Sequence, residues 1–439
     1  MTKQQHFGWF LARGFGPHGW GHPYLDWNYR WTEPALYQQA ARELEQAGFD
    51  LLIIEDAPSL GNASTIDLRI RQAFGGPKHD PLMLAPYLFA ATQHLGIVPT
   101  VNPAAYLPYT AARQFASLQH LSGHRLGLNV VTDTGSARHF GTQPPLGHDA
   151  AYDRAEEWLD SIQKLWRSWG DGALIADPAQ GRYADGSKLD TVRHRGEHFE
   201  FDGPLNAIPF TDGEPVIVSP GGSGRGLGFA GANSDVQLAL APLDAESVRS
   251  YRARIHEAAV ARGRDPRDVK VLFAIQPVIV SSPEEADRLV AKSATPDDAA
   301  IRTIAERQSS DLETDLTALD FDAPLDLSVF GDHVSQGSIN RLLGGYDPAT
   351  TPLRTLLTKQ AKLGRINDRT GFVGTAEEFA DLIEDLGENA DNDGVLLWGD
   401  LHPVTVHRML DELVPILRRR GILRSSFTGG GLRANLHEF

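Results

Sequence analysis

The stretch Ile97–Val131, IVPTVNPAAYLPYTAARQFASLQHLSGHRLGLNVV, carries the pattern on which the fold turns. Ile97–Val101 is a short β-rich apolar run. Pro108–Leu121 has helical spacing and opens with the proline tolerated in a first turn. Leu126–Val131 is apolar again. A strand, a helix and a strand in that order predict two parallel strands joined by a crossover helix.

Working outward, the alternation repeats. Phe7–Ala12 (FGWFLA) reads as a first strand. Leu36, Tyr37, Ala40, Leu44 and Ala47 share one face of a helix that starts at Pro34 and ends at Gly48. Leu51–Ile54 runs into Glu55 and Asp56, and a helix follows around Pro81–His94. Past the opening stretch come a helix over Ala151–Trp169, then strands at Pro215–Ser219, Val236–Leu240 and Val269–Val280. Asp244 and Gly263 bracket a helix over Asp244–Arg262, and Ser282 and Glu285 form a capping box at the start of Pro283–Ala294. A second box, Thr375 with Glu378, opens a helix to about Leu386. Strand Gly394–Trp398 feeds helix Val404–Arg420, which contains Pro415.

Eight near-continuous apolar strands, each followed by a helix, predict a single domain over 1–439: an α/β (β/α)8 TIM barrel with insertions. A doubly wound open sheet is the competing architecture. Residues 170–214 break the rhythm, and Val192–Phe201 reads as a hairpin. The polar segment 297–370 reads as an insertion between strands seven and eight, lid-like in its placement.

Of the 439 residues, 41% are hydrophobic and 22% charged, a globular balance. The formal net charge of −16 disfavours a nucleic acid partner. With no cysteine, disulfides, thiolate metal sites and a cysteine nucleophile are excluded. No apolar run reaches a membrane span, and the first residues lack the apolar core of a secretory signal, so the expected location is cytoplasmic.

In a barrel, chemistry sits at the C-terminal strand ends. There the sequence places Glu55 and Asp56, Thr100 and Asn102, Asn129 and Thr132, then Ser219 and the glycine turn Gly221-Gly222-Ser223-Gly224. Ser223 and bare amides at a helix start make an anion cradle suited to phosphate. His148 and Tyr152, four apart at another helix start, could reach the same anion. Gly226–Gly231 forms a GxGxxG that begins too late after its strand to be a dinucleotide turn, and reads as a small-residue helix packed closely on the barrel. His194 and His198 flank Gly196 in the hairpin, against a helical metal pair. Arg418, Arg419 and Arg420 read as a favourable charge at a helix C-terminus. The loop after strand one carries His18, Trp20, His22, Tyr24, Trp27 and Tyr29, which could wall a ring-shaped ligand.

The stretch RQFASLQHLSGHRLGLNVVT over 113–132 resembles the RxFATLDHLSGGRxGWNVVT pattern of the bacterial-luciferase-like flavin monooxygenases. Within them it is most similar to the branch holding nitrilotriacetate, EDTA, dibenzothiophene-sulfone and pristinamycin monooxygenases. His148–Trp158 resembles the family's HxxRYxRAxEF segment, Gly196–Asn206 its GxHFxVxGPL hairpin, and Pro415–Gly421 its PxLQxRG ending. The resemblance places flavin-binding positions on Asp56, Asn102, His148, Tyr152 and Ser223, with Asn129 and Thr132 beside the flavin. It implies that Ser223, the Gly224 amide and Tyr152 hold an FMN phosphate with His148 nearby. Asp56, Asn102, Asn129 and Thr132 are then expected to line the ribityl and ring side.

Departures from the pattern are Asn102 for Ser or Thr, His124 for Gly, Leu128 for Trp, Asp133 for Ser, Gly21 for Arg, and Ser219-Pro220 for Gln-Ala. Gly21, Leu128, Asp133 and Ser219 are expected to alter the mouth.

The resemblance implies a two-component monooxygenase. Reduced FMN comes from an NAD(P)H:flavin reductase, O2 adds to give a flavin C4a-peroxide, and a small organic substrate is oxygenated. His18 or His22 is expected as proton donor and Trp20 as a pocket wall. No metal is expected, and the family's habit implies a homodimer or homotetramer. The alternatives are an F420-dependent oxidoreductase, a flavin-binding protein without catalysis, and an NAD dehydrogenase resting on the lone GxGxxG. The substrate is not legible in the sequence.

Overall fold

The computed structural model describes all residues except 1, 13–14, 16–28, 62, 64, 72, 74, 133–134, 142–145, 332–333, 335 and 366–370. Eight strands form the barrel: β1 (His6–Leu11), β2 (Leu51–Ile54), β3 (Gly96–Val101), β4 (Gly127–Val130), β5 (Val216–Pro220), β6 (Val236–Ala239), β7 (Lys270–Ile279) and β8 (Gly394–Gly399). Each pairs in parallel with the next, and β8 closes on β1 with Gly394 opposite His6 and Gly399 opposite Leu11. Closure excludes the open doubly wound sheet.

Alternation along each strand builds two layers. Leu51 and Ile53 of β2 point into the barrel with Val98, Val216, Val218, Val236, Leu272 and Leu396. Leu52 and Ile54 point outward, into the larger core between strands and helices. The helix Gly431–Leu436, not foreseen from the sequence, plugs the N-terminal end. Its buried Leu432 sits so close to the strands that a Cβ on Gly96 would stand 2.5 Å from its Cδ1.

The expected helices occur with ends shifted by a few residues: Pro81–Phe89 in place of 81–94, and His148–Trp166 in place of 151–169. Asp244 caps its helix by accepting from Ser247 N, and the Thr375–Glu378 capping box is complete. In the segment 170–214, Arg193–Arg195 pairs antiparallel with Glu200–Asp202, as the hairpin reading requires.

The far half of β7 leaves the barrel and pairs with a further strand, Gly371–Gly374, with Gln276 opposite Gly371. Between them lies the 297–370 segment. It is more structured than its polarity suggested, with helices Asp298–Leu312, Gln336–Leu343 and Leu353–Ala361 around their own core of Ile301, Leu312, Leu325, Leu342 and Leu356. Its first helix packs on the short helix Ile66–Arg71 that follows β2. Among the described residues, no helix is long and apolar enough to cross a membrane.

Candidate active site at the barrel mouth

After β5 the chain turns at Gly221, whose φ of 129° favours glycine, and enters the helix Gly224–Asn233. Ser223 caps that helix, its Oγ accepting from Gly226 N at 3.0 Å. The same hydroxyl lies 3.3 Å from His148 Nε2, and Asp149 Oδ1 accepts from His148 Nδ1 at 2.7 Å. Tyr152, one helical turn beyond His148, is buried at 7% exposure with its ring 5.2 Å from the imidazole. Burial pushes the Tyr152 phenol up. Hydrogen bonds with Thr132 and Ser223, and the Arg225 charge, act the other way.

The phenol reaches the turn because the turn has no side chains there. A Cβ on Gly221 would meet Tyr152 Oη at 2.7 Å, and one on Gly226 at 2.8 Å. Arg225 lies over the Tyr152 ring and pairs with Asp153 and Glu156 at 2.7 and 2.8 Å. Thr132, His148, Tyr152, Ser223 and Gly224 therefore form one cluster around a helix N-terminus.

Ser219 does not face the mouth, contrary to expectation. On β5 it alternates outward and is 1% exposed. It hydrogen-bonds Ser234 Oγ at 2.7 Å and Gln237 Oε1 at 3.2 Å, while Gln237 Nε2 donates to Gly221 O at 3.1 Å. It braces the glycine turn from behind. Leu128 is likewise not a mouth residue. It points into the layer between strands and helices and is fully buried, whereas its neighbour Asn129 points inward. The period of two decides both cases.

Over the strand tips lie two cavities of about 350 Å³ each that share Asp56, Ala57, Thr100 and Val131. One is also lined by Lys78, His79, Asn102, Tyr106 and Phe140. The other is lined by Asn129 and by Pro220, next to the glycine turn, and also by Arg69, Ser310 and Glu313. Asn129 Nδ2 donates to Thr100 Oγ1 at 2.8 Å, and its buried Oδ1 has no hydrogen-bond partner among the described residues.

Asp56 is pushed up to about 6, burial being the main cause and the Lys78 charge the main opposition. Lys78, which the sequence reading did not single out, holds Glu55 at 2.8 Å and Asp56 at 3.5 Å. No local pattern announces it, because it arrives on the loop before the Pro81–Phe89 helix and meets the β2 carboxylates only in the fold.

His18, Trp20, Gly21, His22 and Asp133 lie outside the described residues. His194 binds Glu157 at 3.0 Å and pins the hairpin to the helix below it. Among the described residues no group of three or more potential ligands could hold a metal. Of the glycines in Gly226–Gly231, Gly226 abuts Tyr152 and Gly221, Gly228 faces open space, and Gly231 packs on the next helix, where a Cβ would strike Ala258 Cβ at 2.5 Å. Arg420 does more than complement a helix dipole, since it pairs with Glu377, Asp381 and Glu384 of the neighbouring helix.

A closed parallel barrel with polar groups gathered at the C-terminal strand ends defines a barrel enzyme. A family model described as luciferase-like monooxygenase matches residues 6–392, and the chain belongs to that family of flavin-dependent oxidoreductases. It is 32% identical to a dibenzothiophene-sulfone monooxygenase of Rhodococcus erythropolis (strain XP), over 99% of this chain and 97% of the relative. It is 30% identical to nitrilotriacetate monooxygenase component A of Aminobacter aminovorans, over 99% and 96%. Among solved structures, a riboflavin lyase with modified FMN and riboflavin superposes with a TM-score of 0.82 at 29% identity, covering 100% of this chain and 96% of that one.

Proposed function

We propose that the chain is an FMN-dependent monooxygenase of the two-component kind. It takes reduced FMN from a separate NAD(P)H:flavin reductase and uses O2 to oxygenate a small organic substrate. The observation that carries this reading is the cluster of Tyr152, Ser223 and His148 at a helix N-terminus, opening beside a polar cavity on the strand tips.

The donor set fits a flavin phosphate. Tyr152 Oη, Ser223 Oγ and the Gly224 amide would hold it, with His148 Nε2 adding a donor when protonated. Asp56, Asn102, Asn129 and Thr132 would line the ribityl and ring portions. The unmet acceptor at Asn129 Oδ1 fits a ligand N–H. Reduced FMN, when bound, supplies the electrons that activate O2. The protein's part is to bind, to orient and to keep water out, the last falling to the 297–370 insertion acting as a lid.

The modified FMN in the riboflavin lyase structure supports FMN as the flavin. We expect the chain to assemble as a homodimer or homotetramer, which light scattering reads directly.

The test is a flavin titration followed by fluorescence. FMN should bind more tightly than riboflavin, and Tyr152→Phe and Ser223→Ala should each narrow that gap. With a flavin reductase, NADH and O2, oxygenated product should form from an accepted substrate. Failure to bind FMN, or a preference for F420, overturns the reading.

A further inference from the structure

Two adjacent serines near the end of the helix Asp298–Leu312 behave differently. Ser309 Oγ donates to Ala305 O at 2.7 Å and accepts from Leu316 N at 2.9 Å, the usual back-bonding of a helical serine. Thr303 makes the same bond to Ala299 O. Ser310 does not. It is 2% exposed, its Oγ is buried without a hydrogen-bond partner among the described residues, and it lines the cavity that runs from Asp56 to Pro220. A buried hydroxyl without a partner costs free energy unless something completes it.

The cavity has two walls of different origin. Asp56, Thr100 and Asn129 come from the strand tips and belong to the flavin side of the proposed site. Arg69, Ser310 and Glu313 come from the helix after β2 and from the insertion. With a flavin ring lying on the strand tips, a group that reaches the second wall is the substrate. Arg69 and Glu313 put one charge of each sign there, so the wall carries no net charge. Ser59, Ser136 and Ser310 add hydroxyls. Such a wall suits an uncharged hydrogen-bond acceptor more than a hydrocarbon or an anion.

We propose that Ser310 is a specificity-determining residue: its hydroxyl donates to an uncharged oxygen of the substrate, a sulfonyl or carbonyl group held between the insertion and the strand tips. The inference rests on the flavin reading above for the choice of which wall is left to substrate.

The test uses the full chain, with and without FMN, and two probes of similar size, methyl phenyl sulfone and isopropylbenzene, titrated by saturation-transfer NMR. Wild type should bind the sulfone more tightly than the hydrocarbon. Ser310→Ala should weaken the sulfone about five- to tenfold and leave isopropylbenzene unchanged, and Ser310→Thr, which keeps a hydroxyl, should restore most of the loss. FMN affinity should be the same in all three proteins. Equal sulfone binding by wild type and Ser310→Ala, an equal loss for both probes, or no sulfone binding by wild type overturns the proposal. Loss of FMN binding by wild type overturns the flavin reading instead, and the flavin-free titration still reports on Ser310.

Discussion

Replacing Asp56 by Asn should stabilise the flavin-free protein, and only at a pH where the carboxyl is ionised. In the folded chain Asp56 is pushed from 3.8 up to about 6 by burial. A folded value above the unfolded one means that the native state binds the proton more tightly, so stability falls as pH rises through that window. The shift of about two units corresponds to about 3 kcal/mol of cost once both states are ionised. At about pH 5, between the two values, roughly half of that cost is present, and well below 3.8 none of it is.

The amide keeps the shape of Asp56 and removes the charge, while Lys78 retains Glu55 at 2.8 Å. The value of about 6 already includes the attraction to Lys78, so the variant should gain up to about 3 kcal/mol at pH 8. Urea unfolding of both proteins, followed by tryptophan fluorescence at several pH values, reads the difference. The gain should grow from about pH 4 to about pH 7 and then level off. A gain that does not vary with pH, or a variant less stable than wild type at pH 8, would refute the reasoning.

Three further outcomes follow from the packing. Leu432→Ala empties the plug beneath β3 and should cost about 2–5 kcal/mol in the same unfolding assay, because Gly96 leaves nothing to fill the hole. Glu157→Ala removes the acceptor for Glu197 N, His198 N, Phe199 N and His194. Amide exchange at Arg193–Asp202 should speed up strongly while the barrel strands stay protected. Ser223→Ala should cost about 1 kcal/mol of stability through the lost helix cap, in addition to its effect on FMN affinity.

The barrel was legible because its strands are apolar on both faces and its helices on one, and those periods survive in a single sequence. The glycine turn, Ser223, His148 and Tyr152 were read together because their spacing puts them at helix starts, and the family resemblance, carried for His148 and Tyr152 by the segment His148–Trp158, pointed to the same positions. Lys78 was not, because a loop lysine meets Glu55 and Asp56 only after the β2 loop folds back over the mouth. Nor were Ser310, which lies far along the chain from the strand tips whose cavity it lines, or Leu432, whose helix is too short to show a period.

The sequence by itself determined the order of strands and helices, because local periodicity and capping are written residue by residue. Which side chains face one another across the mouth was decided by closure of β8 on β1 and by the insertion lying against the helix after β2. Those are long-range contacts, and they exist only when burial of the whole core offsets the entropy of bringing distant segments together.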